Sequence, residues 1–324
     1  MLLTPLRSAS DQYRRQQLIT AEGLAAARAA RYGTLPSLVE AVIKYQLASA
    51  LESQRAAPAI LEEQGISPDP VAEASVLPLL GAASDGRPLA TLLDIARTGS
   101  HFDTIVRTQL ADVARQSSVI ANAVRPQADR YVRVVNMPAC SRCVILAGRE
   151  YRSDVAFQRH PRCDCTMAPS ASDTAGDATA DPAQAFDFYK PAAELDRLHP
   201  DLTVKMRQEA GIYSQEDVFT KAGAQAIRDG ADMAQVVNAR RGMTTAQVGG
   251  RTIRSTREGV TRRGHGYQAM KERGQYGVGK DYREHGARYF RTRSSRLMPE
   301  TIYAVATSDA DALRLLHLYG YVMK

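Results

Sequence analysis

The sequence predicts a mainly α-helical protein with a small α+β module near its middle, and three observations carry that reading. Apolar residues recur at helical spacing through much of the first 128 residues. Trp is absent and aromatic residues make up only 6% of the chain. A core must therefore be built from Ala, Leu, Val and Ile, which suits helices packed on helices better than a sandwich filled with rings. All four cysteines fall in one window, Cys140 to Cys165, which marks that window as a unit with chemistry of its own. At 324 residues and 44% hydrophobic content the chain can bury a sizeable core in one to three domains.

Residues 1–128 read as a helical N-terminal domain. From Asp11 to Arg31 the chain is rich in Ala, Leu, Gln and Arg, and Asp11 suits a helix N-terminus. Thr34 and Pro36 mark the start of the next helix, Ser37 and Glu40 have the spacing of a capping box, and Leu35, Val39, Val42, Ile43, Gln46 and Ala50 form its apolar stripe. The segment from Pro58 to Pro78 is expected to break it. After the turn residues SDGRP comes a short apolar helix, LATLLDIA; Phe102, Val106, Leu110, Val113, Ile120 and Val124 then space a long amphipathic one. Ser100, His101 and Asp103 are close in sequence, but neighbours on a helix point apart, so no triad is read there.

The module, residues 129–169, opens on YVRVV, whose alternation predicts a half-exposed strand. C-x2-C follows, then sixteen intervening residues, then H-x2-C-x-C. Two knuckles of this spacing close tetrahedrally around one zinc ion, so the module is read as zinc-stapled. Cys140, Cys143, His160, Cys163 and Cys165 are five candidates for about four places, one of them to spare. Two disulfides, a redox pair or buried apolar thiols are the alternatives. The N-terminal residues show no apolar segment or cleavage site of a signal peptide, which predicts a reducing compartment and favours metal. A surplus of ligands, with no Glu next to His160, favours a structural ion over a catalytic one. Between the knuckles Val144, Ile145 and Leu146 are expected to pack inward, Gly148 to permit a turn, and YRSDVAFQRHP to form a returning hairpin. No run approaches the ~18 apolar residues of a membrane span, so no membrane partner is expected.

A flexible linker, 170–189, is read from the small residues and unbalanced Asp around PSASDTAGDATADPAQA. A helical segment, 190–239, follows: Ser214 and Asp217 form an N-cap pair before DVFTKAGAQAIRD, and ADMAQVVNARR stops at Gly242. The composition then changes. Between Arg240 and Arg296 fifteen Lys or Arg stand against four acids, a local net charge of +11 in a chain whose total is +7. The rest of the chain is thus slightly acidic. Interleaved Gly and Tyr make the 240–298 region a pliant positive surface suited to DNA by non-specific backbone contact, with Arg251, Arg254, Arg257, Arg262, Arg263, Arg288, Arg291 and Arg293 as its contacts. A solvated loop, or a surface for an acidic protein partner, is the alternative. Helices close the chain over 299–324, with Pro299 at a first turn, Ser308 as a cap and Gly320 as a stop.

Val134 to Arg152, VVNMPACSRCVILAGREYR, and FQRHPRCDC after it resemble the signature of the MuF-like minor head proteins of tailed bacteriophages, in the form found in phages of actinobacteria. VVNARRGMTTA from Val236, TREGVTRRG from Thr256, and RLMPETIY with ALRLLHLYGY near the C-terminus are similar to that family as well, so the resemblance covers most of the chain. It implies a minor capsid protein of head morphogenesis, acting at the portal end with the portal protein and other capsid components as partners. It also implies a virion location in the capsid interior, after a stage in the host cytoplasm. Some relatives of this form are described as capsid maturation proteases, which makes protease the alternative by analogy. A zinc-stapled nuclease of the HNH type, with Glu284 and His285 as the adjacent acid and His, is a further one. Neither enzyme reading has a catalytic constellation behind it in the sequence.

Overall fold

The computed structural model describes residues 2–155, 163, 165–174, 181–258 and 291–322. It is mainly helical with small antiparallel sheets, as the composition predicts. The chain divides into two compact units, residues 1–139 with 146–185, and residues 140–145 with 186–324.

In the first unit, β1 (Leu2–Leu3) leads into α1 (Arg7–Ala30), α2 (Leu35–Glu62), α3 (Leu89–Ala96) and α4 (Phe102–Ala123). Leu24 and Ala27 of α1, Leu38 and Val42 of α2, Leu89 and Leu93 of α3, and Phe102, Val106 and Leu110 of α4 form one buried cluster. The helical stripes read from the sequence are the faces that meet there. Gly23 lets α1 approach closely: a Cβ at this position would lie 2.7 Å from Leu110 Cδ1 and 2.9 Å from Tyr45 Cβ.

The helix ends differ from the expected caps. α1 starts at Arg7 rather than near Asp11, and its first turn carries no acid. Glu63 caps it from a distance, accepting hydrogen bonds from the Arg7 and Ser8 amides, each at 2.8 Å. Thr34, not Ser37, caps α2, accepting from the Ser37 amide at 3.3 Å. Pro58 does not break α2, which runs four residues past it to Glu62. Proline inside a helix costs about 3 kcal/mol, whereas Ile60 and Leu61, both 0% exposed, contribute roughly 1.5–3 kcal/mol each by burial.

Four strands complete this unit. β2 (Arg130–Asn136) is central, antiparallel to β1, to β3 (Glu150–Arg152) and to β4 (Thr166–Ser170). Val132, Val134 and Ala168 pack on Leu6, Ala9, Ala56 and Ile60, so the sheet and the helices share a core. The half-exposed strand expected of YVRVV is corrected here: Tyr131 to Val135 are all buried, including Arg133. Ser170 ends β4, and α6, introduced below, lies inside the span read as linker.

α6 (Pro182–Phe188) begins in the first unit and ends in the second; a single helical turn, α5 (Ser141–Val144), falls in the second unit with α7 (Ala192–Leu198), α8 (Val204–Glu209), α9 (Gln215–Phe219), α10 (Lys221–Arg228) and α11 (Met233–Ala239). Ser214 and Asp217 form the expected capping box. The helix predicted beyond them is interrupted at Thr220, whose φ of 68° lies in a region that β-branched residues avoid. The basic region holds order that composition concealed: β5 (Met243–Val248), β6 (Arg251–Glu258) and β7 (Arg291–Leu297) form an antiparallel sheet in that order. α12 (Pro299–Val305) and α13 (Asp309–Leu318) follow, and Ser308 accepts from the Asp311 amide at 3.2 Å. Their Ile302, Ala312 and Leu316 pack with Ala226, Val236, Met298 and Tyr321.

Two predictions follow from this packing. Gly23→Ala should destabilise the protein by roughly 1–3 kcal/mol through overpacking against Leu110 and Tyr45, measured by denaturant unfolding. Burial pushes the Glu63 carboxyl up, but the hydrogen bonds from Ser8 and Arg7 outweigh it and hold the group below its ordinary value. A depressed folded-state value means stability that is present above the unfolded value and lost as pH falls through the folded one. Glu63→Gln should therefore melt below wild type at neutral pH, with the gap closing in acid.

Candidate metal centre

The cysteines are placed by three short pieces of local structure. Cys140 is the N-cap of α5 and accepts the Val144 amide at 3.0 Å, so C-x2-C becomes one helical turn with Cys143 on it. Val144 packs inward as expected and is 0% exposed. Gly148, at φ 67°, makes the expected turn, and its amide donates to the Arg133 carbonyl at 2.9 Å. Cys163 and Cys165 lead directly into β4.

Cys143, Cys163 and Cys165 are all buried, and their Sγ atoms lie within 4.8 Å of one another. Thiolates on tetrahedral zinc sit ~3.8 Å apart for Zn–S bonds of about 2.3 Å, so three soft donors at this spacing can hold a metal ion with small adjustment. None of the four cysteines is in a disulfide. Cys140 is exposed and is not part of the three-sulfur group. His160 lies outside the described residues.

Two arginines that the sequence reading passed over organise the sulfurs. Arg133, at the centre of β2 and only 1% exposed, places Nη2 3.5 Å from Sγ of both Cys163 and Cys165. Side chains alternate along a strand, so Arg133 faces away from Val132 and Val134 and toward the cysteines. Arg115 of α4 donates from Nε to the Cys165 carbonyl at 2.8 Å and from Nη2 to the Cys163 carbonyl at 2.5 Å. Its Nη1 pairs with buried Asp112 at 2.9 Å. A charge taken out of water needs opposite charge and hydrogen bonds around it. Asp112 supplies that for Arg115, and anionic sulfur would supply it for Arg133, the outer-shell arrangement that metal thiolates use. The signal available in the sequence was a lone Arg in an otherwise apolar strand just before the first Cys.

A cleft of about 410 Å³ in the first unit reaches this pair; Gln16, Thr20, Arg107 and Thr108 line it together with Cys163 and Cys165. Asp103, weighed and dismissed as a triad member, pairs there with Arg28, which holds its carboxyl below the usual range.

Of the predicted nucleic-acid contacts, Arg251, Arg254 and Arg257 are on β6, and Arg291 and Arg293 fall on β7. Arg262, Arg263 and Arg288 lie outside the described residues, as do Glu284 and His285. Three other basic residues of the region have structural partners. Arg240 pairs with Glu300, Arg241 with Glu258, and Arg296, 2% exposed, stacks on Tyr321 and donates to the Tyr319 carbonyl. Among the described residues, no helix is long and apolar enough to cross a membrane.

Removing Arg115 takes away the ion-pair partner of buried Asp112 and the two hydrogen bonds to the cysteine carbonyls. Arg115→Met should cost about 3–5 kcal/mol in urea unfolding, and pairing it with Asp112→Asn should recover a substantial part of that loss.

Residues 23–192 match the family model described as VG15 protein, a span that covers more than half of the chain and contains the cysteine window. No curated protein and no solved structure matches. With that span, the chain belongs to the VG15 protein family, a viral, phage family.

Proposed function

We propose that this protein is a minor capsid component of phage head morphogenesis that acts at the portal end, held together by a structural zinc ion and contacting packaged DNA through its basic region. Membership of a phage family is the observation that carries the virion reading, and the resemblance of Val134 to Cys165 to MuF-like minor head proteins supports the finer assignment. Cys143, Cys163 and Cys165 would hold the zinc, with Cys140 or His160 as fourth donor. Three buried sulfurs, two of them beside a buried guanidinium, suit a closed, structural ion. Positive charge concentrated in one region suits packaged DNA, while the slightly acidic helical remainder suits capsid and portal contacts.

The test is mass spectrometry of purified particles together with cross-linking to neighbouring proteins. The reading expects the chain in mature heads, at low copy number, with its cross-links to the portal concentrated in residues 1–128. A chain present during assembly and missing from heads would overturn it.

A further inference from the structure

We infer that the β5–β6 hairpin is a two-stranded arm that lies in the major groove of double-stranded DNA, with arginines set against the phosphate backbones on both sides. The inference rests on the proposed contact with DNA and assigns it to one element and one mode.

The hairpin has the shape for it. Val248 pairs with Arg251 across a two-residue loop, Gly249 and Gly250, whose φ values of 56° and 76° are those a tight hairpin turn requires. Six residue pairs at about 3.3 Å each give a ribbon roughly 20 Å long. β7 pairs only with Ser255 to Glu258 of β6. The outer part, Ala246–Val248 with Arg251–Ile253, therefore has no third strand beside it among the described residues, while half-buried Arg254 marks the arm's base, its amide donating to Thr301 Oγ1 at 2.7 Å and its carbonyl accepting from the Met298 amide at 2.9 Å. Thr244 to Val248 are all exposed, as are Arg251 and Thr252, so both faces of the tip meet solvent. A free two-stranded ribbon is marginal in water and gains most from a partner that covers it. The major groove, ~12 Å wide, admits such a ribbon.

The charges fit that placement. Arg251 and Arg254 are three residues apart on one strand and so project from opposite faces. Arg257 is exposed at the base of the arm, beside the irregularity between Thr256 and Glu258. Among the described residues no carboxylate pairs with any of the three, whereas Arg240 and Arg241 pair with Glu300 and Glu258, and Arg296 is buried. A ribbon with cations on both faces suits two phosphate walls; a flat protein surface would meet only one. Thr245, Gln247 and Thr252 add polar groups without acidic ones, which suits backbone contact with little base preference.

The experiment measures binding of the full-length protein to a fluorescent random-sequence duplex, and to one of its single strands, across a salt series. Wild type should prefer the duplex. Arg254→Ala alone should lower the slope of log affinity against log salt by about 0.9, Arg251→Ala by a similar amount, and R251A/R254A/R257A by about 2.7. The triple Lys variant should keep the slope, which separates lost charge from lost fold. If wild type binds and the triple Ala variant keeps its slope, or if single strand binds as tightly as duplex, the groove-arm assignment is overturned while DNA contact through other arginines stands. If wild type binds neither probe at low salt, the underlying DNA reading fails with it.

Discussion

A guanidinium enclosed by protein must be met by negative charge or by hydrogen-bond acceptors, and two of the buried arginines of the first unit, Arg115 and Arg133, converge on the Cys163–Cys165 segment. Arg115 reaches from α4 to the carbonyls of Cys163 and Cys165 and is balanced by Asp112. Arg133 reaches from the middle of β2 to the sulfurs of the same two residues. One arginine fixes the backbone of the C-x-C segment and the other its thiols. Neutral thiols are poor company for a buried cation, whereas thiolates bound to a divalent ion are anionic and polarisable. Arg133 and a metal–thiolate group held there would be complementary: each would lower the cost of burying the other.

The same constraint explains what was legible in the sequence. Helices α1 to α4 could be read because one apolar face each is the whole of their requirement, and Leu38, Val42, Phe102, Val106 and Leu110 sit where periodicity puts them. Caps at Ser214 and Ser308 were legible because they are local hydrogen bonds. Glu63 could not be found as the cap of α1, since its bonds span 55 and 56 residues. Pro58 misled because a local rule met the burial of Ile60 and Leu61. Arg133 misled most usefully: an alternating strand with one Arg reads as half-exposed, when the charged position faces sulfur. Cysteine spacing predicts a metal site, but only the fold shows which three sulfurs converge where an ion could be held.

The basic region teaches a related lesson about charge. Fifteen Lys or Arg in one stretch suggest a loose positive surface, yet three described members are structural, and Arg296 is among the most buried side chains of its unit. Composition counts charges; the fold decides which face outward. What remains on β6 is a smaller, ordered set at a defined spacing, carried on a hairpin whose Gly-Gly turn reads as pliancy in composition alone.

The claim on which the account turns is that the converging cysteines hold zinc, and zinc-edge X-ray absorption with metal quantitation on full-length protein, purified without added metal, tests it most directly. The account predicts about one zinc per chain with at least three sulfur neighbours at about 2.3 Å, and loss of that signal in Cys163→Ser and Cys165→Ser. Protein that is folded and free of metal, or zinc surrounded only by nitrogen and oxygen, would contradict it.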